Sequence, residues 1–207
     1  LAGVIADYER VVKQRNTLLK TRSSSAALQP WSEQLINIGA NLTAERIALV
    51  AALNPFVSEN YRNLNEVKPA SISYKSSTEG LTSDAANNIT FLTSRLEEVQ
   101  YQEIERGTTL IGPHRDDLTL TIGDFPAKGY ASHGESWSMA IALRIGSFNL
   151  LKKEGSDPIL ILDDVFAELD TSRRLQLVAA TKMAEQTIIT AAVESDLPAD
   201  LNSTKFY

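Results

Sequence analysis

Val4, Tyr8, Val11, Val12, Arg15, Leu18 and Leu19 recur with i, i+3, i+4, i+7 spacing, with Lys and Arg on the other side. That period predicts an amphipathic helix at the start of the chain. Beyond the Ser23-Ser24-Ser25 break, Trp31, Leu35, Ile38, Leu42 and Leu49 follow at intervals of 4, 3, 4 and 7, which predicts a second helix packed along a neighbour. Asn54-Pro55 reads as a cap followed by a first-turn proline, opening a further short helix. Ser71 to Lys75 alternates and predicts a strand. Polar Ser83-Asp84 then opens a long helix carrying Ile89, Leu92, Leu96, Val99 and Ile104.

The period changes in the second half. Leu118 to Ile122 alternates strictly, and Gly123-Asp124 supplies a turn into a second strand. A helix is predicted from about Glu135 to Lys153, with Met139, Ile141, Ala142, Leu143, Ile145 and Leu150 on it. After the Ser156-Asp157-Pro158 break, Ile159-Leu160-Ile161-Leu162 is wholly apolar, the pattern of a central strand buried on both faces. A helix over about Ser172 to Ala184 and a strand at Thr187 to Thr190 complete a strand–helix–strand rhythm, which predicts a largely parallel sheet.

Composition narrows the class. The 207 residues are 43% hydrophobic with a net charge of −6, which suits a globular chain rather than a disordered one. There is no Cys and only two histidines, His114 and His133, so disulfides, thiolate metal sites and a histidine-built zinc site are excluded. The longest apolar run, Ile47 to Leu53, is far shorter than the ~20 residues of a membrane span. These features lead us to expect a soluble, cytoplasmic chain with no membrane partner. Neither half is strongly basic, so charge gives no support for nucleic-acid binding, although an acidic molecule can still carry a basic groove.

Three segments carry candidate chemistry. Asp163-Asp164 directly follows the apolar strand, and ligands of parallel sheets bind at the carboxyl ends of strands. Ser132-His133-Gly134-Glu135 precedes a long helix, where a hydroxyl, a glycine and free N–H groups form an anion site, or simply a serine cap. Ala167-Glu168-Leu169-Asp170 follows the carboxylate pair, with Asp170 placed to cap the next helix. Each signal is modest alone; their order and spacing together are specific.

Ser132 to Glu135 resembles the signature motif of ABC-type ATPases, Ile159 to Asp164 their Walker B strand, and Glu168-Leu169-Asp170 their D-loop. Gly112-Pro113-His114-Arg115-Asp116-Asp117-Leu118, the Asp-Asp ending, Ser172-Arg173-Arg174 and Gln186 to Thr190 narrow this further. They resemble the RecF family of bacterial recombination mediators, most strongly over Thr109 to Val193. The fold class implied is an α/β ABC-type ATPase head lobe with an α-helical arm domain, the arm at residues 1–107 and the head at residues 108–207. No Gly-x-x-x-x-Gly-Lys-[Ser/Thr] occurs, and the chain starts at Leu1, so we expect the C-terminal portion of a longer protein, without its Walker A lobe. A last strand after Phe206-Tyr207 is expected to be clipped as well.

The resemblance implies roles for single residues. Ser132, His133, Gly134, Glu135, Asp163 and Asp170 would take part in binding ATP, with Asp163 on Mg²⁺ and Asp164 as the catalytic carboxylate acting on water. Ser132 and Gly134 would act across an ATP-dependent homodimer. The chain departs from the general ABC pattern in having Asp-Asp for Asp-Glu, and Ala191 or Ala192 where a switch histidine is expected. Both departures imply slow hydrolysis. The implied partners are duplex and gapped DNA, RecR, RecO and RecA, in the cytoplasm at the nucleoid. Arg10, Lys13, Arg15, Lys20 and Arg22 form a basic strip that could touch phosphate, or serve only as a solvated face. A non-catalytic interaction module and another SMC-like head remain as alternatives.

Overall fold

The computed structural model describes residues 2–64, 67–166, 169–193, 197 and 204. The elements run α1 (Ala2–Lys20), α2 (Ser25–Leu64), β1 (Ala70–Lys75), α3 (Ala85–Arg106), β2 (Asp117–Ile122), β3 (Phe125–Pro126), the short α4 (Ala127–Tyr130), α5 (His133–Lys153), β4 (Leu160–Asp163), α6 (Thr171–Thr181) and β5 (Thr187–Thr190). One sheet has the order β1-β2-β3, with β2 and β3 antiparallel. In the other, β4 and β5 pair in parallel, with Asp163 opposite Thr190. The residues pack as two compact units that are not continuous in sequence, residues 1–51 with 74–119 and residues 52–73 with 120–207.

In the first unit the helical stripes form the core. Tyr8, Val11, Leu35 and Leu42 make one buried cluster, and Ile36, Ala40, Leu92, Leu96, Val99 and Ile111 another. Asp84 caps α3 by accepting from the N–H of Ala86, and Gly107 closes it in the left-handed conformation (φ 63°), as the polar opening and the glycine imply. The stripe on α2 is less regular than its spacing suggests, because Leu49 is exposed.

Pro55 does not start a helix. It lies within the 40-residue α2, so the prediction of a break at Asn54-Pro55 is corrected. The Asn54 side chain is used elsewhere, its Oδ1 accepting from the N–H of Ile72 at 2.7 Å. An internal proline forfeits a helical hydrogen bond and costs about 3 kcal/mol. Burial of Val57, Tyr61 and Leu64 on the continuing helix offsets that cost. α2 is also long and apolar enough, by length and composition alone, to cross a membrane, but 39% of its most apolar window is buried within the structure.

In the second unit Met139, Ile141, Ala142, Ile145, Phe148 and Leu150 of α5 are buried, as are Leu160, Leu162, Leu177 and Val178. Gly146 permits close approach of α5 to the end of α2, since a Cβ there would lie 3.1 Å from Val57 Cγ2 and 3.2 Å from its backbone nitrogen. The strand β4 differs from expectation. Leu160 and Leu162 are buried but Ile161 is 64% exposed, so one face of this apolar strand lies uncovered. An apolar run predicts cover on both faces of the strand, and among the described residues only one face has a neighbour.

Candidate functional site

The start of α5 is held by reciprocal hydrogen bonds. Ser132 Oγ accepts from the N–H of Glu135 at 3.2 Å, and Glu135 Oε2 accepts from the N–H of Ser132 at 2.8 Å, a complete capping box. Glu135 Oε1 also accepts from Lys68 Nζ at 2.7 Å. The Lys68 ammonium and the two hydrogen bonds with Ser132 hold the Glu135 carboxyl down to about 2, so it stays ionised. Lys68 thus neutralises a negative charge beside a helix start suited to anions. The Ser132 hydroxyl accepts in the cap and donates its O–H to the ionised Glu135 carboxylate, which can only accept.

His133 has a local task. Its Nε2 accepts from Trp137 Nε1 at 3.0 Å, one helical turn on, which leaves the ring proton on Nδ1. Gly134 faces another motif: a Cβ there would meet Arg173 Nη1 at 3.2 Å, and Arg173 donates to Asp170 Oδ2 at 2.9 Å. Asp170 Oδ1 accepts from the N–H of Arg173, also at 2.9 Å, so Asp170 does cap α6. Glu168 lies outside the described residues.

The strand-end carboxylates are tied to β5. Thr190 Oγ1 donates to Asp163 Oδ1, and the N–H of Asp164 approaches both the carbonyl oxygen (3.2 Å) and Oγ1 (3.1 Å) of Thr190. Asp164 sits in the left-handed region at φ 50°, which L-residues other than Asn and Asp rarely adopt. Carboxylates beside a hydroxyl are hard oxygen donors, the type that suits Mg²⁺ sharing its shell with phosphate and water. Among the described residues no three His, Cys, Asp or Glu side chains form a metal cage. Arg173 and Thr190 entered the sequence reading only as marks of the resemblance, without roles, and Lys68 not at all; Lys68 lies 67 residues from its carboxylate partner.

The basic strip is not a single face. Arg10, Lys13, Lys20 and Arg22 are exposed, and Lys13 and Lys20 line a surface cavity of about 400 Å³ with Glu9, Val12, Asn16, Thr17 and His114. Arg15 is a correction: it is only 1% exposed and cannot reach a ligand. Its Nη2 pairs with Glu103 Oε2 at 2.6 Å, Nη1 donates to Thr109 Oγ1 at 2.9 Å, and Nε donates to Ser32 Oγ at 3.0 Å. Its place among the apolar positions of α1 was the signal for this. Arg22 is unusual in another way. It closes α1 at φ 52°, with the N–H of Ser23 bonding to Leu18 O and its own N–H to Leu19 O, a position that glycine normally fills.

The Gly112 to Asp117 segment fastens the first unit together. The Thr109 carbonyl can only accept, so His114 Nε2, 3.4 Å away, carries the ring proton; Nδ1 then accepts from the Tyr8 hydroxyl at 2.9 Å. Burial lowers the His114 pKa and raises that of Tyr8, keeping both neutral. Asp116 accepts from Tyr74 Oη at 2.6 Å and from Ser77 N and Oγ, each at 2.7 Å. Burial and the bond to Asp116 push the Tyr74 phenol up to about 12.

The fold defines a class first. Two solved structures of the recombination mediator protein RecF of the RecFOR pathway, one described with ATPrS and one with ATP, each match with a TM-score of 0.80. They cover 95% and 92% of this chain and 54% and 52% of their own, and at 23% identity the likeness speaks for the fold alone: this chain shares their mixed α/β architecture. No family model matches. The DNA replication and repair protein RecF of Streptomyces avermitilis is 47% identical over the whole of this chain, and that of Rhodococcus erythropolis 44%. In sequence and in fold this is a RecF-family chain. It spans 58% and 57% of the length of those two relatives.

Proposed function

We propose that this chain carries the signature, Walker B and D-loop elements of a RecF-like DNA replication and repair protein. Its ATP sites would be completed across a homodimer. The observation that carries this reading is the start of α5, where Ser132 caps the helix while Lys68 offsets the charge of Glu135. A phosphate held by a partner's Walker A loop would meet N–H dipoles and a neutralised carboxylate there rather than a bare one. His133 orients Trp137 at the same helix start, and Gly134 keeps the first turn clear of a side chain.

Asp163 is the carboxylate that would hold Mg²⁺. When bound with ATP, that ion neutralises phosphate charge. Asp164 orients the attacking water and accepts its proton, and its short reach makes turnover slow. Asp170 links the two sites of the dimer.

In this reading residues 1–107 act as the arm and residues 108–207 as the head. The arm contributes Arg10, Lys13, Lys20 and Arg22 to a groove for duplex backbone. An arginine kept at a position that favours glycine supports such a use. ATP-gated dimers would bind duplex DNA at single-strand gaps in the cytoplasm, at the nucleoid. There they would help RecO and RecR load RecA during recombination and the SOS response. The test is fluorescence anisotropy of labelled gapped duplex DNA with the full-length protein. Binding that requires Mg-ATP is expected; binding indifferent to ATP, or none, would overturn the nucleotide-gated clamp.

A further inference from the structure

One side chain joins two of the candidate segments. Arg173 Nη1 donates to Asp170 Oδ2 at 2.9 Å, while the backbone N–H of Arg173 holds the other carboxylate oxygen at 2.9 Å. The same guanidinium lies against the first turn of α5, where a Cβ on Gly134 would be 3.2 Å from Nη1, 3.6 Å from Nη2 and 3.7 Å from Cζ. Its Nε is buried and has no hydrogen-bond partner among the described residues. An arginine with only structural duties turns its five donors toward acceptors or water. Here one donor is sacrificed to keep the plane of the group between Gly134 and Asp170. The neighbouring Arg174 gives its Nε to Leu169 O, so it does not duplicate this contact.

We propose that Arg173 is a positioning residue that locks the Asp170 carboxylate to the Gly134 turn, so that both present one rigid surface to a nucleotide-bound partner. This rests on the composite-site reading above and adds to it a role for a residue that the motifs mark but do not explain. Two loops that close independently each lose freedom on docking, whereas two loops already joined meet the partner in register. The contact also explains the glycine. A Cβ at residue 134 would push the guanidinium back by a few tenths of an ångström.

The test uses the full-length protein and measures the ATP-dependent dimer by sedimentation with a slowly hydrolysed ATP analogue. Arg173→Ala is expected to weaken that dimer by about tenfold, in the range of couplings between linked sites. Arg173→Lys, which keeps the charge and the stem, should recover part of the loss. Gly134→Ala should weaken the dimer in the wild-type background, yet add nothing in the Arg173→Ala background, where the displaced group is already gone. A purely structural arginine would not give that non-additivity. An Arg173→Ala dimer as tight as wild type, or losses that multiply in the double variant, would overturn the proposal while leaving the composite site standing. Ser132→Arg separates the two ideas by filling the composite site with bulk. ATP-dependent dimers that survive Ser132→Arg would remove the composite site, and this inference with it.

Discussion

Removing the Glu103 carboxylate should unbalance the first unit more than deleting any of its apolar side chains. Glu103 is fully buried, pairs with Arg15 at 2.6 Å, and accepts from the N–H of Leu110 at 2.7 Å. Glu103→Ala leaves the Arg15 charge buried with only the hydroxyls of Ser32 and Thr109, and breaking a buried pair this way costs about 3–5 kcal/mol. The orphaned Leu110 N–H adds about 1–3 kcal/mol. A total of roughly 4–8 kcal/mol rivals the whole stability of a small unit. Urea unfolding followed by circular dichroism gives the midpoint and slope that measure it. The sharper test is the double variant Arg15→Met with Glu103→Leu, which removes the unpaired charge instead of stranding it. It should be more stable than Glu103→Ala despite making fewer hydrogen bonds. A Glu103→Ala cost below about 1 kcal/mol, or a double variant no better than the single one, would refute the uncompensated-charge argument.

Asp164→Asn in the full-length protein should prolong the ATP-bound dimer; a hydrolysis rate equal to wild type would remove Asp164 from the chemistry. Arg22→Gly should raise stability by about 0.5–1 kcal/mol, because glycine suits the left-handed cap, and should weaken DNA binding in low salt. Ala at Arg10, Lys13, Lys20 and Arg22 together should lower the slope of log affinity against log salt by about 1 for each phosphate no longer neutralised, and an unchanged slope would exclude the strip. His114 has a folded-state pKa below its ordinary 6.5, through burial first and the nearby Arg115 cation second, against the Thr109 hydrogen bond, Asp116 and Glu103. The unfolded chain therefore binds more protons in that range, so unfolding free energy should fall as pH drops through 6.5. His114→Gln should flatten that fall in urea melts across pH.

Local rules placed most elements. The Asp84 cap and Gly107 stop bound α3, and the Ser132 to Glu135 spacing announced its capping box from the residue types alone. Longer-range matters were hidden. Pro55 carries a local stop signal that buried contacts further along α2 override. Arg15 has the residue type of a surface cation and the spacing of a core residue, and only the position of Glu103 decides between them. In the candidate site, the motif positions were legible because they repeat a spacing. Lys68, Arg173 and Thr190, which orient them, come from other elements whose partners the sequence does not indicate. The segment ending at Phe206-Tyr207 lies outside the described residues.

The seat of Tyr8 has a consequence for how this sequence can change over time. Its ring and hydroxyl fill the space that a side chain would take at two distant glycines. A Cβ on Gly39 would lie 3.2 Å from Tyr8 Cε2, and one on Gly112, at φ 108°, would lie 2.3 Å from its hydroxyl oxygen. His114 accepts the proton that this hydroxyl donates. Residues 8, 39, 112 and 114 are therefore not free to drift separately. A lineage that shortens Tyr8 to a smaller residue leaves the imidazole needing a new donor, while Gly112 stays fixed by its φ of 108° and Gly39 still meets Pro113 Cδ at 3.3 Å. One that keeps the phenol must keep all three companions. Among related sequences columns 8 and 114 should vary together while both glycines persist, although more than a hundred residues separate the pair.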